Sequence, residues 1–247
     1  MSVLNRSNSK NKTLPLSPNL KTGECLETTI IRIRFARKGA TSFVAHLDMM
    51  RIFERALKRA AIDCEYSQGF NPRPVMAFAL PLGVGVETID DYVDIAVKGQ
   101  ISPIETVSRL KRTMPEGIDI IGAIIAPPEK DSMMAQVCAA QYLFLSPNIA
   151  GARKAIQEAP ALMVTKMAKG EKKTIDAKPL ILSVEIQDAN SIKVLVKAGS
   201  KENLRPDLFL ESLVGIHYFS SDEAFNTQIV RIGTFIREPD GKFVRPI

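Results

Sequence analysis

Residues 30–36 read Ile30-Ile31-Arg32-Ile33-Arg34-Phe35-Ala36, and the fold follows from how they alternate. Ile31, Ile33 and Phe35 fall on one side and Arg32 and Arg34 on the other, the period-two pattern of a strand with one buried face. Beyond the turn Lys38-Gly39-Ala40, AHLDMMRIFERALKRAAI places Leu47, Met50, Phe53, Leu57 and Ala60 at helical spacing. VMAFALPL (75–82) and YVDIAV (92–97) read as strands joined by GVGVETID. ISPIETVSRLKRTM reads as a helix with Ser102 at the N-cap and Pro103 in its first turn. IDIIGAII is the next strand. The order βαββαβ spells a ferredoxin-like unit over residues 28–126.

Residues 127–135 read as a linker, with prolines and charges before a shift in composition. From 136 to 247 the pattern nearly repeats. QYLFLS is a strand, NIAGARKAIQEA a helix and LMVTKMA a strand ending in a Lys-rich tip, KGEKKT. LILSVEIQD and SIKVLVKAG form a hairpin about Asp188-Ala189-Asn190, followed by the helix RPDLFLESLVG and the strand TQIVRIGTFI. The expected fold class is α+β: two tandem ferredoxin-like units, the second with an extra hairpin. Residues 1–27, rich in Ser, Asn, Lys and Pro and without the apolar core of a signal peptide, read as a disordered basic tail.

The chain has 247 residues, 45% of them hydrophobic, which is enough for substantial cores. A net charge of +6 favours polyanionic partners. Tryptophan is absent, so any platform for stacking bases is sparse. Cys25, Cys64 and Cys138 are isolated, without the spacing of a zinc or iron–sulfur site, so no metal is expected in this chain. Unpaired cysteines fit a reducing, cytoplasmic setting, and no apolar run is long enough to span a bilayer.

Three features could carry function. Arg51, Arg55 and Arg59 recur at i, i+4 and i+8 with Lys58 beside them, a stripe suited to a phosphate backbone or, equally, to a solvated helix face. His46 opens that helix with Asp48 two residues on, giving a candidate acid–base pair or a purely structural helix start. Arg32 and Arg34 lie on the strand face away from the core, open to a ligand or to pairing with Asp94. With Arg at those positions, the aromatic stacking of an RRM sheet is disfavoured. Last comes the loop Tyr66-Ser67-Gln68-Gly69-Phe70-Asn71-Pro72-Arg73-Pro74. Gly69 can adopt positive φ, and Pro72 and Pro74 stiffen the chain, so Phe70 and Arg73 are held with little freedom. Such a loop suits recognition, or else plugs the edge of the domain.

The stretches RIRFARKGATSFVAHLDMMRIFERALKRA, YSQGFNPRPVMAFALPLGVGVE and DDYVDIAV closely resemble the radical-SAM-linked family of unknown function (domain of unknown function 2344). The resemblance covers about residues 30–98 and continues more faintly through NLRPDLFLESLVG (203–215) and the last strand near Arg231. Its signature falls on His46, Leu47 and Asp48, on Arg51 and Arg55, on Tyr66 to Pro72, on Glu87 with Asp94, and on Arg205 with Pro206. Ala45 stands where the family usually shows a serine. Members are encoded beside, or fused behind, a cobalamin-binding radical SAM protein, and often neighbour RNase E/G-type genes. The resemblance therefore implies a partner carrying the iron–sulfur cluster, S-adenosylmethionine and cobalamin, with no cofactor in this chain.

The leading expectation is an RNA-binding accessory protein, not itself an enzyme, that presents tRNA or rRNA to a radical SAM partner. Its binding residues would be Arg32, Arg34, Arg51, Arg55, Arg59, Tyr66, Ser67, Gln68, Gly69, Phe70, Asn71, Arg73 and Arg205. Two alternatives stay open: a metal-independent ribonuclease using His46 and Asp48, similar in outline to CRISPR repeat-processing endonucleases, and a non-catalytic docking module for the radical SAM protein.

Overall fold

A computed structural model describes residues 28–99, 101–128, 131–168 and 170–247. The expected tail over 1–27, linker residues Glu129 and Lys130, and Lys169 at the hairpin tip lie outside the described residues.

Strand β1 (Thr28–Arg37) buries Ile31, Ile33 and Phe35, as its alternation demands. Helix α1 (His46–Arg59) packs on them through Met49, Phe53, Ala56 and Leu57. Phe53, Leu57 and Ala60 of the expected stripe are buried, while in the first turn the phase brings Met49 inward, with Met50 half-buried and Leu47 exposed. Phe53 sets that phase by packing edge-on to both Phe35 and Phe78, at centroid distances of 5.1 and 5.4 Å. Next come β2 (Met76–Phe78), β3 (Val86–Lys98), α2 (Pro103–Lys111) and β4 (Ile118–Ile125). All pairings among these strands are antiparallel: β1 lies between β4 and β3, and β2 sits on the far edge of β3.

The second half opens with α3 (Met133–Gln136), whose Met133 is buried although the sequence reads as linker there. Then follow β5 (Val137–Leu145), α4 (Ala152–Glu158), the ribbon β6 (Met163–Ala168) and β7 (Glu171–Asp176), and the hairpin β8 (Ile181–Asp188) and β9 (Ser191–Lys197). Helices α5 (Pro206–Gly215) and α6 (Ser221–Asn226) lead into β10 (Gln228–Arg237), and β11 (Phe243–Val244) folds back onto it.

The architecture is mixed α+β, built on one large mixed sheet in the order β4-β1-β3-β10-β5-β9-β8. Strands from both of the units expected from sequence lie in this one sheet. The halves are stitched into one sheet by a short parallel pairing of Val86–Thr88 on β3 with Ile229–Arg231 on β10. The strand expected over 92–97 therefore begins at Val86, and that expected over 75–82 shrinks to three residues. The physical reason is that β2 and β10 share one edge of β3. Met76–Phe78 takes the stretch at Val93–Ile95, β10 takes the stretch at Val86–Thr88, and the chain must fork between them.

At the fork, Asp90 and Asp91 are buried side by side. Asp90 accepts hydrogen bonds from the Tyr92 hydroxyl (2.7 Å) and the Thr234 N–H (3.0 Å), with Arg34 Nε at 2.7 Å and Arg245 Nε at 3.3 Å. Asp91 accepts from the Tyr92 N–H (2.8 Å) and faces the fully buried Arg231 guanidinium at 2.6 Å, and Arg231 also donates to the Leu80 carbonyl. Arg37 donates to the carbonyls of Val44, Gly83 and Val86, tying the end of β1 to the start of β3. Burial pushes the Asp91 carboxyl above the usual carboxylate range, and Arg231 opposes that shift.

Removing one partner of a buried ion pair strands the other. Arg231→Met is expected to lower unfolding free energy by roughly 3–5 kcal/mol in urea titrations, and adding Asp91→Asn should recover a substantial part. Simply additive losses in the double variant would show that the pair is not the stitch.

Candidate functional site

The residues singled out in the first half sort into a consumed set and a presented set. Arg32 is buried, forks onto Asp94 at 2.8 and 3.0 Å, and donates to the carbonyl of Pro246 near the C-terminus. Arg34 is committed to Asp90. The C-terminal segment covers Arg32 through Pro246 and sends Arg245 to the same Asp90, so both guanidiniums are engaged within the protein while Arg34 stays partly exposed. Arg59 donates to the Thr113 carbonyl, anchoring the end of α1 to the segment after α2.

What is presented is the outer face of α1 together with the loop after it. Arg51, Arg55 and Lys58 are exposed there, and Arg59, though bonded to Thr113, is exposed as well. Asp48 receives Arg51 at 2.6 Å across one turn, while Arg55 and Lys58 have no ion-pair partner among the described residues. The loop is a narrow hairpin. Tyr66 bridges Pro74, the Ser67 N–H donates to the Arg73 carbonyl (2.8 Å), and the Arg73 N–H donates to Ser67 Oγ (3.1 Å). Gly69 turns the tip at φ +131, which L side chains rarely adopt, and Phe70 beside it is wholly exposed. Gln68 and Asn71 are exposed on either side, and Tyr66 is 45% exposed. Arg73 reaches toward Glu54 on α1 at 3.8 Å, which sets the hairpin alongside the middle of the helix. His46 and Asp48 sit about two turns earlier, so they do not order this loop.

His46 is half-buried at the start of α1 with its ring edge-on to Phe78, 5.3 Å between centroids. Burial first, and Arg37 second, hold its pKa below the ordinary value. Among the described residues no three His, Cys, Asp or Glu side chains converge as a metal-ligand set. The Cys64 thiol is buried and pushed up to about 11 by that burial, so it is not a nucleophile near neutral pH. No described helix is long and apolar enough to cross a membrane.

A concavity apart from the α1 face takes in Arg205, an expected binding residue, with Glu87 and Pro206 of the family signature. A cleft of about 1240 Å³ opens where the two halves meet, beside the β3–β10 pairing. Glu87 and Arg205, far apart in sequence, both line it. Arg205 precedes α5 and is paired with Asp207 at 2.7 Å. Glu87 accepts the Gly39 N–H at 2.9 Å. The cleft depends on α6, whose start is a capping box between Ser220 and Glu223. That S-x-x-E spacing is legible in the sequence and is the available signal for this wall.

Residues 31–206 match the family described as an uncharacterized protein conserved in bacteria (DUF2344). The chain belongs to this family. In DUF2344 terms the match runs from β1 through β9 to the start of α5 and stops short of α6, β10 and β11. No curated protein matches the chain. A solved structure described as an unknown protein from Galdieria sulphuraria overlaps 82% of this chain and 96% of its own, at 15% identity and a TM-score of 0.24.

The depressed pKa of His46 has a definite sign. The native state binds this proton less readily than the unfolded chain, so the stability it contributes is present above 6.5 and is lost as pH falls through the lower native value. Unfolding free energy is expected to fall from about pH 7.5 to about pH 5, and His46→Gln should flatten that slope in urea titrations run across the range.

Proposed function

We propose that this chain is an RNA-binding accessory protein that works beside a radical SAM partner in RNA modification. The observation that carries the RNA half is a hairpin that bears the exposed Phe70 and whose Arg73 reaches Glu54, on the helix that also presents Arg51 and Arg55. Phe70 is fully exposed beside Gly69 at the tip of the hairpin, and Arg51 and Arg55 are exposed on α1. Exposed aromatics stack on bases without regard to sequence, and cations placed alongside follow the phosphates. The hairpin is closed by its own backbone and by Ser67, so little entropy is lost on binding. Arg32 and Arg34 drop out of the binding set because they are spent inside the protein.

The partner half rests on the sequence resemblance, which implies a cobalamin-binding radical SAM partner. In this reading the partner supplies the radical chemistry, and this chain supplies orientation and affinity. Each half of the sheet follows the strand order of a ferredoxin-like unit, β4-β1-β3-β2 and β10-β5-β9-β8, and we read the fold as two such units fused at β3 and β10.

Fluorescence anisotropy with a labelled single-stranded RNA and with a folded tRNA tests the RNA half. Phe70→Ala is expected to cost roughly 1–3 kcal/mol of single-strand affinity. Replacing Arg51 and Arg55 with alanine should weaken binding of all sequences and reduce the salt slope by about one for each phosphate that is no longer neutralised. RNA affinity that is absent at low salt, or indifferent to all three changes, sinks the proposal.

A further inference from the structure

The cleft between the halves differs in character from the α1 face. Its walls are apolar: Leu80 and Val84 on the first half, Leu210 and Ile229 on the second. Two phenylalanines stand on its opposing sides and are left in solvent, Phe43 at 69% and Phe225 at 88% exposure. Phe43 belongs to the short turn Gly39–Phe43 and Phe225 to α6, so neither is needed to fill a core. An apolar trough with solvent-exposed phenylalanines on both sides is an uncommon surface for a monomer to leave bare.

The charged lining is acidic. Glu87, Asp207 and Glu211 line the cleft against a single cation, Arg205, which is already bound to Asp207. Neither Glu87 nor Glu211 has an ion-pair partner among the described residues, and Glu211 receives only a long hydrogen bond from the Thr165 N–H at 3.4 Å. This is an acidic site on a chain of net charge +6. It disfavours a polyanion and favours a ligand that brings cations with its apolar groups. About 1240 Å³ exceeds the roughly 300–1,000 Å³ of a typical small-molecule pocket. The dimensions suit a peptide segment whose apolar side chains enter the trough while its lysines or arginines meet Glu87 and Glu211, the helix-in-groove mode of recognition.

We infer that this cleft is a docking groove for a basic, amphipathic segment of a partner polypeptide. It is a site separate from the α1 face and does not depend on that face binding RNA. Glu87 and Glu211 select the charge, and Phe43 and Phe225 clasp the apolar side of the segment.

The test uses the full chain and three labelled synthetic peptides, each about five helical turns long. The first is a Leu/Lys amphipath, the second its Leu/Glu counterpart, and the third a Ser/Lys peptide of equal charge. The Leu/Lys peptide is expected to bind at least about tenfold more tightly than either control. Glu211→Lys combined with Phe225→Ser should weaken it by about tenfold or more. Both positions are exposed, so the variant should keep the wild-type urea midpoint, and a variant that fails this check is replaced by Glu87→Gln with Phe43→Ser. Hydrogen exchange of the bound complex should show protection at 80–87 and 206–229. Replacing Arg51 and Arg55 should leave peptide affinity unchanged, which separates this site from the RNA reading. Equal binding of the Leu/Glu peptide, full affinity in the cleft variant, protection confined elsewhere, or displacement of the peptide by spermine alone each overturns the proposal.

Discussion

Asp90 and Asp91 are neighbours in sequence, both buried, and both at the point where β3 parts from its two partners on one edge. Burying a carboxylate costs several kcal/mol unless cations and hydrogen-bond donors meet it, and here two such costs fall on consecutive residues. The donors come from far along the chain. Arg34 comes from β1, Thr234 and Arg231 from β10, and Arg245 from the C-terminal segment. The set is complete only when both halves are in place. The parallel pairing of β3 with β10 spans only three residues on each strand, too little backbone to hold the halves alone. The ionic fork joins the halves together with the apolar core that Leu80, Leu82, Val86 and Tyr92 share with the second half, and it fixes where β3 parts.

This dependence also explains which parts of the architecture are legible in the sequence. IIRIRFA is legible because one-sided burial imposes alternation locally. IDIIGAII, the hairpin about Asp188-Ala189-Asn190 and the helix after Arg205 are legible for similar local reasons. The length of β3 is not. Gly83, Val84 and Gly85 read as a joint, and Val86 to Asp91 become strand only because β1 and β10 offer partners on either side. α1 keeps Phe53, Leu57 and Ala60 of its expected stripe and differs only in the first turn, where Met49 is buried and Leu47 exposed once Phe53 packs against Phe35 and Phe78. Periodicity alone does not make that choice.

The candidate sites divide along the same line. Tyr66 to Pro74 announces itself by composition, since glycine, prolines and aromatics in one short loop constrain it without outside help. The structure closes it into a hairpin through contacts within the loop itself. Arg32 and Arg34 look equivalent to the helix arginines in sequence, because nothing local distinguishes a cation facing solvent from one facing a carboxylate. The register of β1 on β3 decides the matter by setting Arg32 opposite Asp94 and Arg34 opposite Tyr92, beside Asp90. The cleft is illegible for a stronger reason: its walls come from both halves and exist only once the fork has closed.

The fork and the cleft are thus one piece of architecture. Val86 and Ile229 pair at the stitch and also line the cleft, and Leu80, whose carbonyl receives Arg231, lines it as well. Any ligand seated there touches both halves and so favours the stitched sheet over a parted one, by no more than its own differential affinity. Conversely, the buried pair holds the groove at a fixed width before a ligand arrives, which lowers the ordering cost of docking. The hairpin bearing Phe70 is preorganised by contacts within itself, while the groove is preorganised by contacts across the whole chain. Changes at the fork should therefore reach the groove and leave the hairpin untouched, because only the groove is made from both sides of it.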